Sequence, residues 1–228
     1  MPAEHHVRVR RTARYFTLGP EEGAARELWF VLHGYGTLAK PFLDVFAAID
    51  DGTRLLVAPE ALNRCYTVPP AGVPAHERPV GATWMTREDR EREIADYVAY
   101  LDDVAADVSA RLTPGAAVTR VDVLGFSQGT ATAARWLTHG QIRAHHLVLW
   151  GGMLPPELEL HRRDHPVRRV CLTFAVGSGD HFATPEVIRA EEEKLERAGV
   201  PYAIHRYAGR HAIPRAELPV LAAALAAR

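Results

Sequence analysis

Cysteine is scarce: only Cys65 and Cys171 occur among 228 residues, too few for a disulfide framework. Cys171 falls in an apolar run and reads as a small buried hydrophobe, and Cys65 as a free thiol in a loop. Lysine is scarcer still for its class, present only at Lys40 and Lys194; with arginine carrying the rest of the positive charge, this reads as codon bias. The formal net charge of −1 gives no basic surplus for nucleic acid, and no acidic run marks a disordered tail. No apolar stretch is long enough to cross a membrane, and Met1 to His6 has nothing of a signal peptide. A cytoplasmic protein without integral membrane association is expected. No Pro- or Gly-rich linker divides the chain, so residues 1–228 read as a single domain with a full core.

What is present is an ordered alternation of strands and helices. Val7 to Leu18 alternates loosely and reads as one or two edge strands; Leu28–Leu32 and Leu55–Pro59 read as buried strands. Between them Phe42, Leu43, Phe46, Ala47 and Ile49 have helical spacing. The stretch from Leu62 to Met85 is rich in proline and glycine, has no clear period, and reads as an irregular insertion. Thr86-x-x-Asp89 resembles a capping box, opening a helix whose stripe runs Ile94, Tyr97, Val98, Leu101, Val104, Ala105, Val108, Leu112 and stops before Pro114-Gly115. His146–Trp150, Val170–Val176 and Tyr202–Tyr207 are further strands. Thr184-Pro185 starts a helix ending at Gly199, and an alanine-rich helix closes the chain. Such alternation implies a mostly parallel central sheet with helices on both faces.

The most specific feature is Gly125-Phe126-Ser127-Gln128-Gly129, set behind the apolar run Val121–Leu124 and before a helix rich in small residues. It fits the G-x-S-x-G turn that lifts a serine off a buried strand. Asp180 and His211 follow, each just past a predicted strand. Ser, Asp, His is the chain order of α/β-hydrolases. In the reading this suggests, His211 is the general base for the Ser127 nucleophile and Asp180 orients the imidazole. The oxyanion of an acyl intermediate would be held by two backbone N–H groups, those of Gln128 and of Tyr35 in the His33-Gly34-Tyr35-Gly36 turn. Asp164 is the competing acid, but precedes its strand instead of following it. His205 lies within a strand, His33 suits a structural role, and His181 borders Asp180 in a loop. The pairs His5-His6 and His145-His146, with His161 and His165, match no metal-ligand spacing, so no metal is expected.

Leu32-His33-Gly34-Tyr35-Gly36, Gly125-Phe126-Ser127-Gln128-Gly129, Asp180 and His211-Ala212-Ile213 together resemble the phospholipase/carboxylesterase family of α/β-hydrolases, which includes small carboxylesterases and acyl-protein thioesterases. The resemblance implies a cofactor-free serine hydrolase acting on a small-molecule acyl ester or thioester. It also supports Tyr35 and Gln128 as oxyanion donors. Thr37 and Arg210 depart from the family pattern and Gly81–Thr86 from the segment of the thioesterase branch, which favours a simple carboxylesterase over an acyl-protein thioesterase; a lysophospholipase or thioesterase using the same groups is the alternative. A non-hydrolytic ligand-binding protein on the same fold is the reading from another class. Tyr66, Val68, Val73, Trp84 and Met85 lie on the side where the site forms, and with Tyr35 the pair Trp84 and Met85 are expected to wall the acyl pocket. The natural acyl and alcohol groups and the oligomeric state are not legible from the residues.

Overall fold

A computed structural model describes residues 1–20, 25–67, 73–74, 77–112 and 118–228. The strands among the described residues are β1 (Tyr15–Leu18), β2 (Glu27–Leu32), β3 (Arg54–Pro59), β4 (Asn63–Tyr66), β5 (Val80–Thr83), β6 (Arg120–Phe126), β7 (His146–Trp150), β8 (Cys171–Gly177) and β9 (Tyr202–Tyr207). The helices are α1 (Ala39–Leu43), α2 (Arg90–Arg111), α3 (Gln128–His139), α4 (Pro185–Ala198) and α5 (Glu217–Ala226). The main sheet has seven strands in the order β1-β3-β2-β6-β7-β8-β9. Only β1 pairs antiparallel; all its other ladders are parallel.

Continuously apolar strands such as Leu28–Leu32 cannot leave either face in water, and the sheet is covered on both. One face carries Leu28, Phe30, Leu32, Val123 and Leu147 against the stripes of α2, α3 and α4. The other carries Trp29, Val31, Leu124, Val148 and Trp150 against α1 and α5. The alternation of neighbours along β2 follows from the two-residue period of a strand. Among the described residues, no helix is long and apolar enough to cross a membrane.

The end of the sheet where the parallel strands begin holds a chain of ion pairs. Glu27 on β2 accepts from Arg54 of β3 and forms an ion pair with Arg120 of β6, each at 2.7 Å. Arg120 also reaches the buried Asp122 at 2.9 Å, and Asp122 meets His146 of β7 at 2.7 Å. These partners are cross-strand neighbours: Glu27 is in register with both Arg54 and Arg120, and Asp122 with His146.

Several local expectations need correction. Of Val7 to Leu18 only Tyr15–Leu18 forms a strand, because only there does a partner, β3, supply hydrogen bonds. The stretch expected to be irregular contains the antiparallel pair β4–β5; Val68, within it, lies outside the described residues. The Thr86–Asp89 capping box does not form. Asp89 adopts a left-handed backbone (φ 43°) with no side-chain cap, and Thr86 instead donates its N–H to Glu93 at 2.5 Å. Pro114-Gly115, expected to stop α2, also lies outside the described residues, and the helix ends at Arg111. Cys171 is exposed, since it is the first residue of β8 at the rim of the sheet. Thr184 does cap α4, accepting from Val187 N–H, and Gly199 ends it in the left-handed conformation.

Candidate active site

The chain runs from β2 outward to β3 and then returns to β6 on the opposite side of β2. Such a reversal opens a crevice beyond the carboxyl ends of the two central strands. The turns after β2 and β6 flank it, and they carry Tyr35 and Ser127.

Ser127 sits between β6 and α3 with φ 53° and ψ −118°, one of two non-glycine residues with positive φ among those described. A conformation of this kind costs on the order of 1–3 kcal/mol and persists only where its surroundings enforce it. Here the glycines enforce it by allowing contact without side chains. A Cβ on Gly129 would lie 2.2 Å from the Leu32 carbonyl oxygen, so α3 rests on the end of β2. Ser127 N–H donates to the Trp150 carbonyl at 2.9 Å, tying the turn to β7.

Ser127 Oγ lies 2.9 Å from His211 Nε2, and His211 Nδ1 lies 2.8 Å from Asp180 Oδ2. With its Nδ1–H donated to the carboxylate, the ring presents Nε2 as the acceptor for the serine hydroxyl. Asp180 is buried, and its other oxygen accepts from Phe182 N–H at 2.8 Å and Ala183 N–H at 3.2 Å. Burial pushes the Asp180 carboxyl up, but these hydrogen bonds from His211, Phe182 and Ala183 outweigh it and hold the group below the usual carboxylate range. The structure therefore brings together the three residues singled out from sequence. Asp164 does not approach them; it is exposed and paired with Arg162 at 2.9 Å.

The His211 ring lies between Phe126 (centroids 4.9 Å apart) and the exposed Phe182 (4.7 Å). Its loop is pinned where the Ala212 carbonyl accepts from Tyr207 Oη at 2.7 Å and Trp150 Nε1 at 3.2 Å. Gly151, at φ 65°, leaves the space this pair needs. A Cβ there would stand 3.0 Å from His211 Cε1 and 3.2 Å from Asp180 Oδ2. Sequence reading missed these supports; Gly151-Gly152 directly after a strand was the one available signal.

The Gly34–Tyr35 turn abuts the serine: a Cβ on Gly34 would lie 3.2 Å from Ser127 Cβ. Among the described residues, neither Tyr35 nor Gln128 donates its backbone N–H to a protein acceptor. His33 is buried, accepts Ala61 N–H through Nε2 at 3.0 Å and contacts the Gly34 carbonyl through Nδ1 at 2.8 Å. Burial pushes its imidazole down, consistent with a neutral ring that shapes the turn.

The expected pocket wall is not assembled as anticipated. Trp84 is 1% exposed and packs on His33 with its N–H on the His33 carbonyl (2.8 Å), so the ring has no surface left for a substrate. Met85 is half-buried, with its sulfur 3.3 Å from Arg135. Tyr35 is exposed, the residue being 67% accessible. His205 on β9 pairs with Glu217 of α5, and His146 with Asp122, both apart from Ser127. Among the described residues, Glu4, His6 and Asp89 are the only cluster of three ligand-type side chains within reach of one another, and all are exposed.

Comparison with known structures places this architecture. Acyl-protein thioesterase 2 of Zea mays aligns with a TM-score of 0.69 at 17% identity, over 95% of this chain and 99% of that one. Esterase PE8 aligns at 0.65 and 21% identity with the same coverages. A carboxylesterase from Mesorhizobium loti aligns at 0.66 and 18% identity, over 95% of each chain. No protein-family model matches the sequence, and a search of curated proteins finds no match either. The chain has the α/β-hydrolase fold.

Proposed function

We propose that this chain is a serine carboxylesterase that works through an acyl-enzyme intermediate. The observation that carries the proposal is the run Ser127 Oγ–His211 Nε2 at 2.9 Å and His211 Nδ1–Asp180 Oδ2 at 2.8 Å on a strained elbow. His211 takes the Ser127 proton as the oxygen attacks the ester carbonyl, then hands it to the departing alcohol. Asp180, held ionised, keeps the ring oriented and stabilises the imidazolium that forms. The Tyr35 and Gln128 N–H groups receive the charge that builds on the carbonyl oxygen; losing one such donor typically costs roughly 3–4 kcal/mol of transition-state stabilisation. Water deprotonated by His211 then releases the acid. No step calls for a metal or an organic cofactor.

A thioester reading is favoured by one specific observation, the likeness to an acyl-protein thioesterase, and the same groups would serve it. The two are separated by a substrate panel that holds the acyl group constant and changes oxygen for sulfur in the leaving group. The enzyme reading itself is tested by stoichiometric labelling with a fluorophosphonate probe. Labelling and aryl-ester hydrolysis, both abolished in Ser127→Ala, are expected. A wild-type chain that neither labels nor hydrolyses would be a binding protein on a hydrolase fold.

A further inference from the structure

Residues Gly81 to Met85 touch both turns that carry the proposed oxyanion donors. On the Tyr35 side, Gly36 N–H donates to the Ala82 carbonyl at 2.9 Å and Ala82 N–H to the Thr37 carbonyl at 3.3 Å. The backbones are in direct contact there: a Cβ on Gly81 would lie 2.2 Å from the Gly36 carbonyl oxygen. On the elbow side, the Gln128 side chain grips the same segment. Its Oε1 accepts Trp84 N–H at 3.1 Å, and its Nε2 donates to the Met85 carbonyl and to the Thr83 hydroxyl oxygen, each at 2.9 Å. Between the two ends, Trp84 Nε1 donates to the His33 carbonyl at 2.8 Å.

The geometry points to the Gln128 side chain as a positioning residue for the oxyanion site. It clamps residues 83–85 to the elbow, and through Ala82 and Trp84 the clamp fixes the Tyr35 N–H relative to the Gln128 N–H. The inference rests on the serine-hydrolase reading above. Its physical basis is that the β2–β6 ladder ends at Leu32–Gly125, short of Tyr35 and Gln128. The two donors thus stand on separate turns beyond the last ladder hydrogen bond. Oxyanion donors act only if already aimed where charge will develop, and a misplacement of about 1 Å costs on the order of 100-fold in rate. The segment braces that gap. A side-chain amide suits the task because it must accept one N–H and donate to a carbonyl at once; leucine would do neither, and a carboxylate would face the Met85 carbonyl.

The experiment compares Gln128→Leu, which keeps the backbone N–H, and Trp84→Phe, which removes the indole donor together with part of the buried ring, with wild type on a short aryl ester. For Gln128→Leu, kcat is expected to fall about 10- to 100-fold with KM within about threefold. Affinity for a trifluoromethyl ketone, which mimics the tetrahedral adduct, should fall by the same factor as kcat/KM. Trp84→Phe should show a smaller loss of the same kind. If Gln128→Leu does not fold, Thr83→Val and Trp84→Phe decide by the same two readouts. The brace is overturned if kcat stays within about twofold, or if KM rises while kcat holds. An inactive, unlabelled wild type overturns the hydrolase reading and the brace with it, whereas an active wild type with an undiminished variant overturns the brace alone.

Discussion

Gly125 and Gly129 face each other so closely that a Cβ on Gly125 would stand 2.1 Å from the Gly129 carbonyl oxygen. The elbow holds Ser127 in place through that contact, and Gly129 repeats it against Leu32. In an ordinary helix, Gly→Ala adds about 1 kcal/mol of stability. At Gly129 the sign should reverse, with Gly129→Ala losing about 1–3 kcal/mol from overpacking against fixed carbonyls. Urea unfolding of the variant against wild type measures it; a stabilised Gly129→Ala contradicts the packing described.

Ser127 carries backbone strain that glycine would relieve. Ser127→Gly should therefore be more stable than Ser127→Ala by about 1 kcal/mol or more, since alanine inherits the positive φ and glycine does not. Both should be inactive. Paired denaturant titrations check the ordering, and equal midpoints would mean the elbow is not strained.

Asp180→Asn keeps the size of the side chain but alters what it offers His211. The amide favours the wrong tautomer, and kcat should drop by about 10³–10⁴ with little change in the far-ultraviolet circular dichroism. The carboxyl is held below its ordinary range, so Asp180 stays ionised wherever an ordinary aspartate does. Its protonation should leave no mark on the rate profile between pH 5 and 9. Full activity in Asp180→Asn would move the acid role elsewhere.

Glu60 tests the pH dependence of stability. It is buried, accepts from Arg14 Nε at 2.7 Å and Arg64 Nε at 2.8 Å, and lies 3.4 Å from Ala39 N. Burial pushes its carboxyl up, but the two guanidinium groups and the Ala39 N–H outweigh this and hold it below the usual glutamate range. A carboxyl depressed on folding contributes stability above its unfolded pKa and loses it as pH falls through the folded value. Glu60→Gln should thus cost about 1–2 kcal/mol near pH 7, discounted because both arginines are half-exposed. The gap to wild type should narrow steadily below about pH 4.5. Chemical denaturation at pH 7, 4 and 3 reads it directly; a gap that widens in acid contradicts the ion pairing.

The parts of the fold legible in sequence were those whose signal is local and strong. Leu28–Leu32 and Val121–Leu124 are apolar on every residue because both faces are covered, and Thr184-Pro185 with Gly199 punctuate α4 by backbone chemistry alone. Ser127, Asp180 and His211 stood out because each follows a strand in a distinctive order. The β4–β5 pair did not, since Asn63–Tyr66 and Val80–Thr83 are four residues each and owe their form to one another. Trp84 read as a pocket wall because an aromatic in a Pro- and Gly-rich stretch has no local cue for burial. Its burial comes from packing on His33, far away in sequence. The Gln128 side chain was opaque for the same reason: its partners lie more than forty positions upstream.

The ion pairs at the far end of the sheet bear on the proposed site by acting as a vernier. Glu27, matched to Arg54 and Arg120, and Asp122, matched to His146, permit one alignment of β2, β3, β6 and β7. A slip of one residue would turn each charge to the opposite face and leave it stranded. It would also shift the Tyr35 turn along the elbow by roughly 3.3 Å, more than an oxyanion contact can absorb. The elevation of one turn against the other is thus set a whole strand length away, by charges outside the proposed site.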